Sequence, residues 1–375
     1  MIPFNKPYLT GKEIEYLQEA VANGKLSGNG VFTQKCHQFF TSNYNFQKCL
    51  LTTSCTDALE MSALLLDIKP GDEVIVPSYT FVSTALAFVR QGAKIVFADS
   101  KSDHPNIDET QIESLITKKT KAIVVVHYAG MACEMDEILK IASKYGLVVV
   151  EDAAQAIDSF YKGKPLGGIG QLASFSFHET KNVISGEGGM LVINDPKFEF
   201  RSEILWEKGT NRAEFFRGQV NKYGWVDTGS SFLPSELTAA FLYAQLEYLR
   251  DIQDKRITIW RRYQESFQEL AESGKITLPV IPDYATNNAH MFYLLCEDID
   301  QRDEFINHLR SKDILAVFHY QSLHSSPFYN SKHDGRNLPN CDHFNDCLVR
   351  LPLYYELSYD QQSAVIDAVH TFYQK

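Results

Sequence analysis

KAIVVVH (Lys121–His127), a helical stretch from Asp136 to Tyr145, and GLVVV (Gly146–Val150) together decide the fold of this chain. The two runs are apolar, β-branched and without polar alternation, so each reads as a strand covered on both faces. A helix between two such strands is the crossover that parallel pairing requires. Working outward, DEVIVP (Asp72–Pro77) follows a Pro-Gly turn and KIVFA (Lys94–Ala98) follows in turn, with helical spacing over Glu109–Thr117. Ser54–Leu66 reads as a helix with Ser54 as N-cap and Asp57 in the capping-box position. Phe175–Phe177 and Met190–Asn194 add two short strands. From about Pro234 to Ala271 a long helical stretch, basic in its second half, reads as a connector. Strands near Met291–Cys296 and Ala316–His319 follow it. The expected architecture is α/β: a large domain over about 10–245 with a mostly parallel sheet, a smaller C-terminal α+β domain over 246–375, and residues 1–9 as an N-terminal segment.

The chain has 375 residues and a formal charge of −11, with no strongly basic block. Nucleic-acid binding, whose affinity comes from neutralising phosphates, is therefore not expected. The seven cysteines are scattered and include no C-x-x-C pair, which argues against a disulfide framework or a zinc ribbon. The tightest group, Cys341, Asp342, His343 and Cys347, is a poor metal motif, and no metal is expected. MIPFNKPYLTGKE places charges where a signal peptide needs its apolar core. No apolar run is long enough to span a bilayer, so a cytoplasmic protein without membrane association is the expectation.

The chemistry starts where the last of the decisive strands ends. In VVVEDAAQ (Val148–Gln155), Asp152 emerges at the carboxyl end of a strand, where ligands sit in open α/β sheets. The alternative role for Asp152 is to cap the next helix. SFSFHETKN (Ser174–Asn182), which places Lys181 twenty-nine residues after Asp152, runs into Gly186-Glu187-Gly188-Gly189. A lysine just past a buried strand, before a glycine-rich turn, is where desolvation would free an amine for Schiff-base chemistry. A pyridoxal phosphate (PLP) site needs such a lysine, a carboxylate facing the pyridine nitrogen, a phosphate cradle and an aromatic cover. Ser54-Cys55-Thr56 opens a helix, whose first-turn amides suit a dianionic phosphate. Tyr79-Thr80-Phe81, after the strand ending at Pro77, offers the ring.

These segments, with IPFNKP, SGNG, TTSCTDALEM, PGDEVIVPSYTFVSTA, GEGG and VFHYQSLH, resemble the sugar-aminotransferase family of PLP enzymes, of the aspartate-aminotransferase (type I) fold, over essentially the whole chain. HYAGMACEMD, EKGTNRAEFFRGQVNKYGW and AHMFY resemble the branch of dTDP-4-amino-4,6-dideoxygalactose transaminases, which aminate C4 of dTDP-4-dehydro-6-deoxy-glucose. The resemblance implies Lys181 as the Schiff-base lysine, Asp152 as partner of the pyridine nitrogen, and Gln155 as a contact of the ring. It implies Phe81 as the stacked aromatic and Cys55, Thr56 and Ser176 as phosphate ligands. It further implies L-glutamate as amino donor, a dTDP-keto-sugar as acceptor, a homodimer, and a product bound for surface polysaccharide such as lipopolysaccharide O-antigen or enterobacterial common antigen. One departure stands out. Gly229-Ser230-Ser231-Phe232-Leu233 replaces a Gly-Tyr-Asn-Tyr-Arg-like stretch of many relatives, leaving Ser230 or Ser231 as candidates for a contact that relatives draw from the neighbouring subunit.

Three further segments have two readings each. Gly28-Asn29-Gly30 starts like a dinucleotide fingerprint, but Thr33 stands at the third glycine position and no strand precedes it, so a nicotinamide site is not expected. Arg212 and Arg217, among the aromatics of 211–225, are candidates to clamp a nucleotide diphosphate, or else belong to a solvated loop. His319, Tyr320 and His324 resemble the family's sugar-facing segment, with a structural histidine as the alternative. The rival activities are amination at C3 of a keto sugar on the same fold, and a PLP-binding regulator without turnover.

Overall fold

The computed structural model describes residues 1–374. Nine strands precede the connector: β1 (Lys48–Thr52), β2 (Glu73–Pro77), β3 (Lys94–Ala98), β4 (Thr120–Val126), β5 (Val148–Asp152), β6 (Phe160–Tyr161), β7 (Lys164–Pro165), β8 (Leu172–Ser176) and β9 (Gly189–Ile193). Seven of them form one sheet in the order β1-β9-β8-β5-β4-β2-β3, while β6 and β7 form a separate hairpin. Pairing from β8 through β5, β4 and β2 to β3 is parallel. Only β9 runs antiparallel, against β8 on one side and β1 on the other. The apolar runs that read as doubly covered strands are buried along nearly their whole length. One face packs with Ile75, Ile123, Val125 and Val149 in one core, the other with Val74, Val76, Val124 and Val150 in a second.

A second sheet pairs β10 (Phe292–Leu295), β12 (Leu348–Leu351) and β11 (Val317–Phe318), antiparallel throughout and with β12 in the centre. Val349 and Leu351 face a third core filled by Trp260, Tyr263, Phe305 and Val365 from the surrounding helices. The expected connector is helical in three pieces, Glu236–Glu247, Leu249–Ser266 and Gln268–Glu272, with breaks at Tyr248 and Phe267.

One local expectation changes. The helix after β1 spans Cys55–Leu65, and the Ser54 hydroxyl accepts from the Asp57 amide at 3.1 Å. The reciprocal half of the capping box is missing, because the short Asp57 side chain takes the Thr53 hydroxyl instead. The Gly28-Asn29-Gly30 stretch opens helix Val31–Tyr44, whose N-terminus is filled from within. The buried Glu236 carboxylate accepts the amides of Gly30 at 2.9 Å, Phe32 at 2.7 Å and Thr33 at 3.1 Å. A carboxylate there satisfies the free amides and the helix dipole, as a phosphate would.

Candidate active site

Strands β2, β4, β5 and β8 all end at one cavity of about 820 Å³, whose opposite wall comes from the second sheet. Asp152, Ser176, Lys181, Gln155, Cys55, Thr56, Phe81, His319 and Tyr320 all line it, joined by His290 and Arg350. Thus the residues singled out on five separate segments converge on one space. His324 does not line this cavity. It is buried behind it, with Nδ1 2.7 Å from the Ser78 hydroxyl and Nε2 3.4 Å from Asp342, so it holds the turn after β2 against the helix Pro339–Cys347. Arg212 and Arg217 lie elsewhere on the same chain. Arg212 stacks on Phe216 at 5.1 Å and shares a surface cleft with Ser231, while Arg217 pairs with Glu203 at 2.8 Å.

Asp152 ends β5 between Val126 on β4 and Ser174 on β8, which fixes its backbone on both sides. The Thr84 hydroxyl donates to its Oδ2 at 2.7 Å, and the Ala154 amide to Oδ1 at 3.1 Å. Burial raises its pKa above the usual carboxylate range, opposed by these two donors and by the charges of Lys181 and His127. A carboxylate held this way, with one oxygen still able to accept, suits a protonated ring nitrogen. Beneath it, the neighbouring Glu151 points the other way. It accepts from His127 at 2.9 Å and from the amides of Gly167, Ile169 and Gly170.

Lys181 is partly accessible at the cavity floor, yet the surrounding protein lowers its pKa, chiefly by desolvation and further by Arg350, with Cys55 and Asp152 opposing. The next residue anchors it. Asn182 donates to Gln253 at 2.7 Å and to the Asn288 carbonyl at 2.8 Å, and its Oδ1 lies 2.9 Å from His290 Nδ1. Gln155 is held by the Ala129 amide at 2.6 Å and donates to the Tyr320 hydroxyl at 2.9 Å. Tyr320 sits at φ 48°, and its ring stacks on His319 with centroids 3.5 Å apart. His319 in turn has Nδ1 2.6 Å from the Tyr128 hydroxyl.

The sequence reading missed Thr84, Tyr128, His290 and Arg350. Thr84 stands in the quoted stretch YTFVSTA, but its link to Asp152 crosses from the helix Ser83–Val89 to β5 and leaves no mark in spacing.

The residues fit pyridoxal phosphate. The first amides of helix Cys55–Leu65, those of Cys55 and Thr56, donate to no acceptor among the described residues and stand ready for an anion. The Thr56 hydroxyl, 2.7 Å from that of Ser83, borders the same cradle. The glycine-rich turn lets this helix start approach β9: a Cβ on Gly189 would lie 2.3 Å from the Ser54 carbonyl carbon. Phe81 is 55% exposed at the cavity edge, an apolar ring with one face open. Among the described residues, no group of three or more His, Cys, Asp or Glu side chains is arranged to hold a metal ion.

The DegT/DnrJ/EryC1/StrS aminotransferase family profile matches residues 7–370. The spore coat polysaccharide biosynthesis protein SpsC of Bacillus subtilis is 34% identical over 98% of this chain and 96% of its own length. GDP-perosamine synthase of Escherichia coli O157:H7 is 32% identical over 99% of this chain and 98% of its own. DesV of S. venezuelae superposes with a TM-score of 0.91 at 30% identity, covering 100% of this chain and 99% of that one. A Streptococcus pneumoniae protein described as a sugar aminotransferase, solved in PLP and PMP forms, superposes at 0.91 and 0.92 with 26% identity, covering 100% of this chain and 98% and 99% of the two solved chains. The chain belongs to the DegT/DnrJ/EryC1/StrS aminotransferase family and is a PLP-dependent sugar aminotransferase.

Proposed function

We propose that the protein moves the amino group of L-glutamate to C4 of dTDP-4-dehydro-6-deoxy-D-glucose, giving dTDP-4-amino-4,6-dideoxy-D-galactose or its gluco epimer for surface polysaccharide. In this reading it acts in the cytoplasm as a homodimer. The observation that carries it is the convergence of Lys181, Asp152 and the start of helix Cys55–Leu65 on one cavity walled by Phe318, His319 and Tyr320. When bound, the cofactor supplies an electron sink for the carbon that loses its proton. Lys181 holds the cofactor covalently through Nζ. Its free amine would take the proton from the donor Cα as base and give it up again as acid, a task favoured by its lowered pKa. Asp152, fixed by Thr84, keeps the ring nitrogen protonated. Cys55 and Thr56 amides, with the Thr56 and Ser176 hydroxyls, bind the phosphate. Gln155 and Phe81 hold the ring, and His319 and Tyr320 face the sugar.

The deciding experiment incubates purified holoenzyme with L-glutamate and three acceptors: the dTDP-4-keto sugar, its GDP counterpart and a dTDP-3-keto sugar. NMR of the products should find an amine at C4 of the dTDP sugar, with 2-oxoglutarate formed in equal amount. The relative named for GDP-perosamine motivates the GDP arm. Turnover of the GDP sugar alone, or amination at C3, would overturn the substrate assignment while leaving the transaminase intact.

A further inference from the structure

Arg256 lies on the connector helix Leu249–Ser266 and is only 4% exposed. Its Nε donates to the Ala289 carbonyl at 3.1 Å and its Nη2 to the His290 carbonyl at 2.7 Å. It has no carboxylate partner among the described residues, and burial alone lowers its pKa, to about 10. The remaining nitrogen, Nη1, donates to no acceptor among the described residues and is not sealed in. A guanidinium carries five N–H donors, and enclosing one without an anion is costly.

Arg256 lines a second cavity of about 10 Å³, behind the segment that carries Lys181 and Asn182. That volume admits one body the size of a water molecule or a halide ion, and is too small for a carboxylate or a phosphate. The wall is rich in donors. Tyr8 and Tyr355, their rings stacked at 3.8 Å, both line it, and only one of their two phenol O–H groups can be met by the other. Gln245, also on the wall, has its amide hydrogens taken by the Tyr8 carbonyl and by Glu13. The one carboxylate residue lining the cavity, Glu179, is exposed to solvent and pairs with no cation among the described residues. Ile184, Ile252 and Pro7 complete the wall with apolar surface.

A water molecule would bring two further donors to a wall that already lacks acceptors. A halide accepts from every side and supplies the charge that Arg256 needs. We propose that this cavity binds one monovalent anion the size of chloride, which neutralises Arg256 and braces the segment carrying Lys181. The brace follows from the bonding around the cavity. Arg256 ties the connector to the turn at Ala289, which stands at φ 50°, a conformation an alanine adopts at a cost. Asn182, on the cavity wall beside Lys181, bonds the same turn through the Asn288 carbonyl and His290. Anion binding does not depend on which donor or sugar the enzyme uses.

The test compares the holoenzyme in sodium chloride, sodium bromide and sodium gluconate at equal ionic strength, gluconate being too large for the cavity. Chloride and bromide should raise the melting temperature by about 2 °C in a saturable way, and gluconate should not. The PLP dissociation constant should fall about threefold in chloride, as linkage requires if the anion braces the lysine segment. Arg256→Gln should abolish both differences, and Arg256→Lys should keep part of them. Crystals of wild type soaked in bromide should show an anomalous scattering peak in contact with Arg256, a readout that stands even if Arg256→Gln folds badly. No halide dependence at fixed ionic strength, no bromide at Arg256, or a halide effect that persists in Arg256→Gln would overturn the site. A higher melting temperature with unchanged PLP affinity would overturn the bracing role.

Discussion

Asp152 illustrates how one side chain can be fixed without being neutralised. Its pKa is raised by burial, the direction that disfavours a carboxylate, yet Thr84 and Ala154 donate to it and Lys181 lies near enough to favour its charge. If that charge holds the ring nitrogen protonated, Asp152→Asn should keep the fold and bind PLP. The step that removes the donor Cα proton should slow by two orders of magnitude or more, on the scale of a lost electrostatic partner, about 3 kcal/mol. Stopped-flow absorbance with Cα-deuterated glutamate checks this. A wild-type rate would reduce Asp152 to an anchor of the turn after β5, since no helix follows that strand for it to cap. At this scale the sequence was legible where chemistry and local pattern coincide: Asp152 closes the buried strand β5, and Lys181 stands in the turn just past β8. Arg350 left no such trace. An arginine in VRLP reads like any strand residue, and only the packing of the second sheet against the first brings it beside Lys181.

Among the elements, the parallel strands declared themselves because burial on both faces demands unbroken apolar runs. Strand β1, KCLLT, did not: it is five residues long, has little β-branching, and lies at the sheet edge beside β9. The reversed direction of β9 was available in principle, since the segment from Phe177 to Gly188 contains no helix that could carry the chain back for parallel pairing. That segment holds Lys181, and its turn presses β9 against the start of helix Cys55–Leu65. Gly189→Ala would place a methyl 2.3 Å from the Ser54 carbonyl carbon and 2.4 Å from the Cys55 amide nitrogen. Backbone must then move, which should destabilise the protein by roughly 2 kcal/mol and also weaken PLP binding, because the displaced amides are those of the proposed phosphate cradle. Gly224→Ala, with nothing within 4 Å, serves as the control. Melting temperature and PLP dissociation constant, measured together, separate the two effects. A loss of stability with unchanged PLP affinity would dissociate the cradle from this helix start.

For the whole molecule, one chain gathers nearly every proposed cofactor and sugar contact but leaves the proposed diphosphate clamp outside. Arg212 and Arg217 sit in a region with Phe216 69% exposed and Trp225 85% exposed, too apolar to be an ordinary solvated loop. A second copy of the chain is the occupant that would bury these rings and bring the arginines to a site not their own. The cleft around Arg212 also holds Ser231, the candidate substitute for a cross-subunit contact. If so, replacing Arg212 and Arg217 together by Gln should raise KM for the sugar nucleotide well above any change for glutamate, because only the former carries a diphosphate for charge-assisted bonds. Mixing that protein with Lys181→Ala supplies the decisive arm. In a mixed dimer with crossed sites, one site takes Lys181 from the first chain and both arginines from the second, so it is intact, while the other carries both defects. Activity near a quarter of wild type should then return, since about half of randomly mixed dimers are hybrids with one working site in two. Native mass spectrometry verifies the hybrids. Verified hybrids without recovered activity, or a fully active monomer, would place the diphosphate clamp elsewhere on the chain.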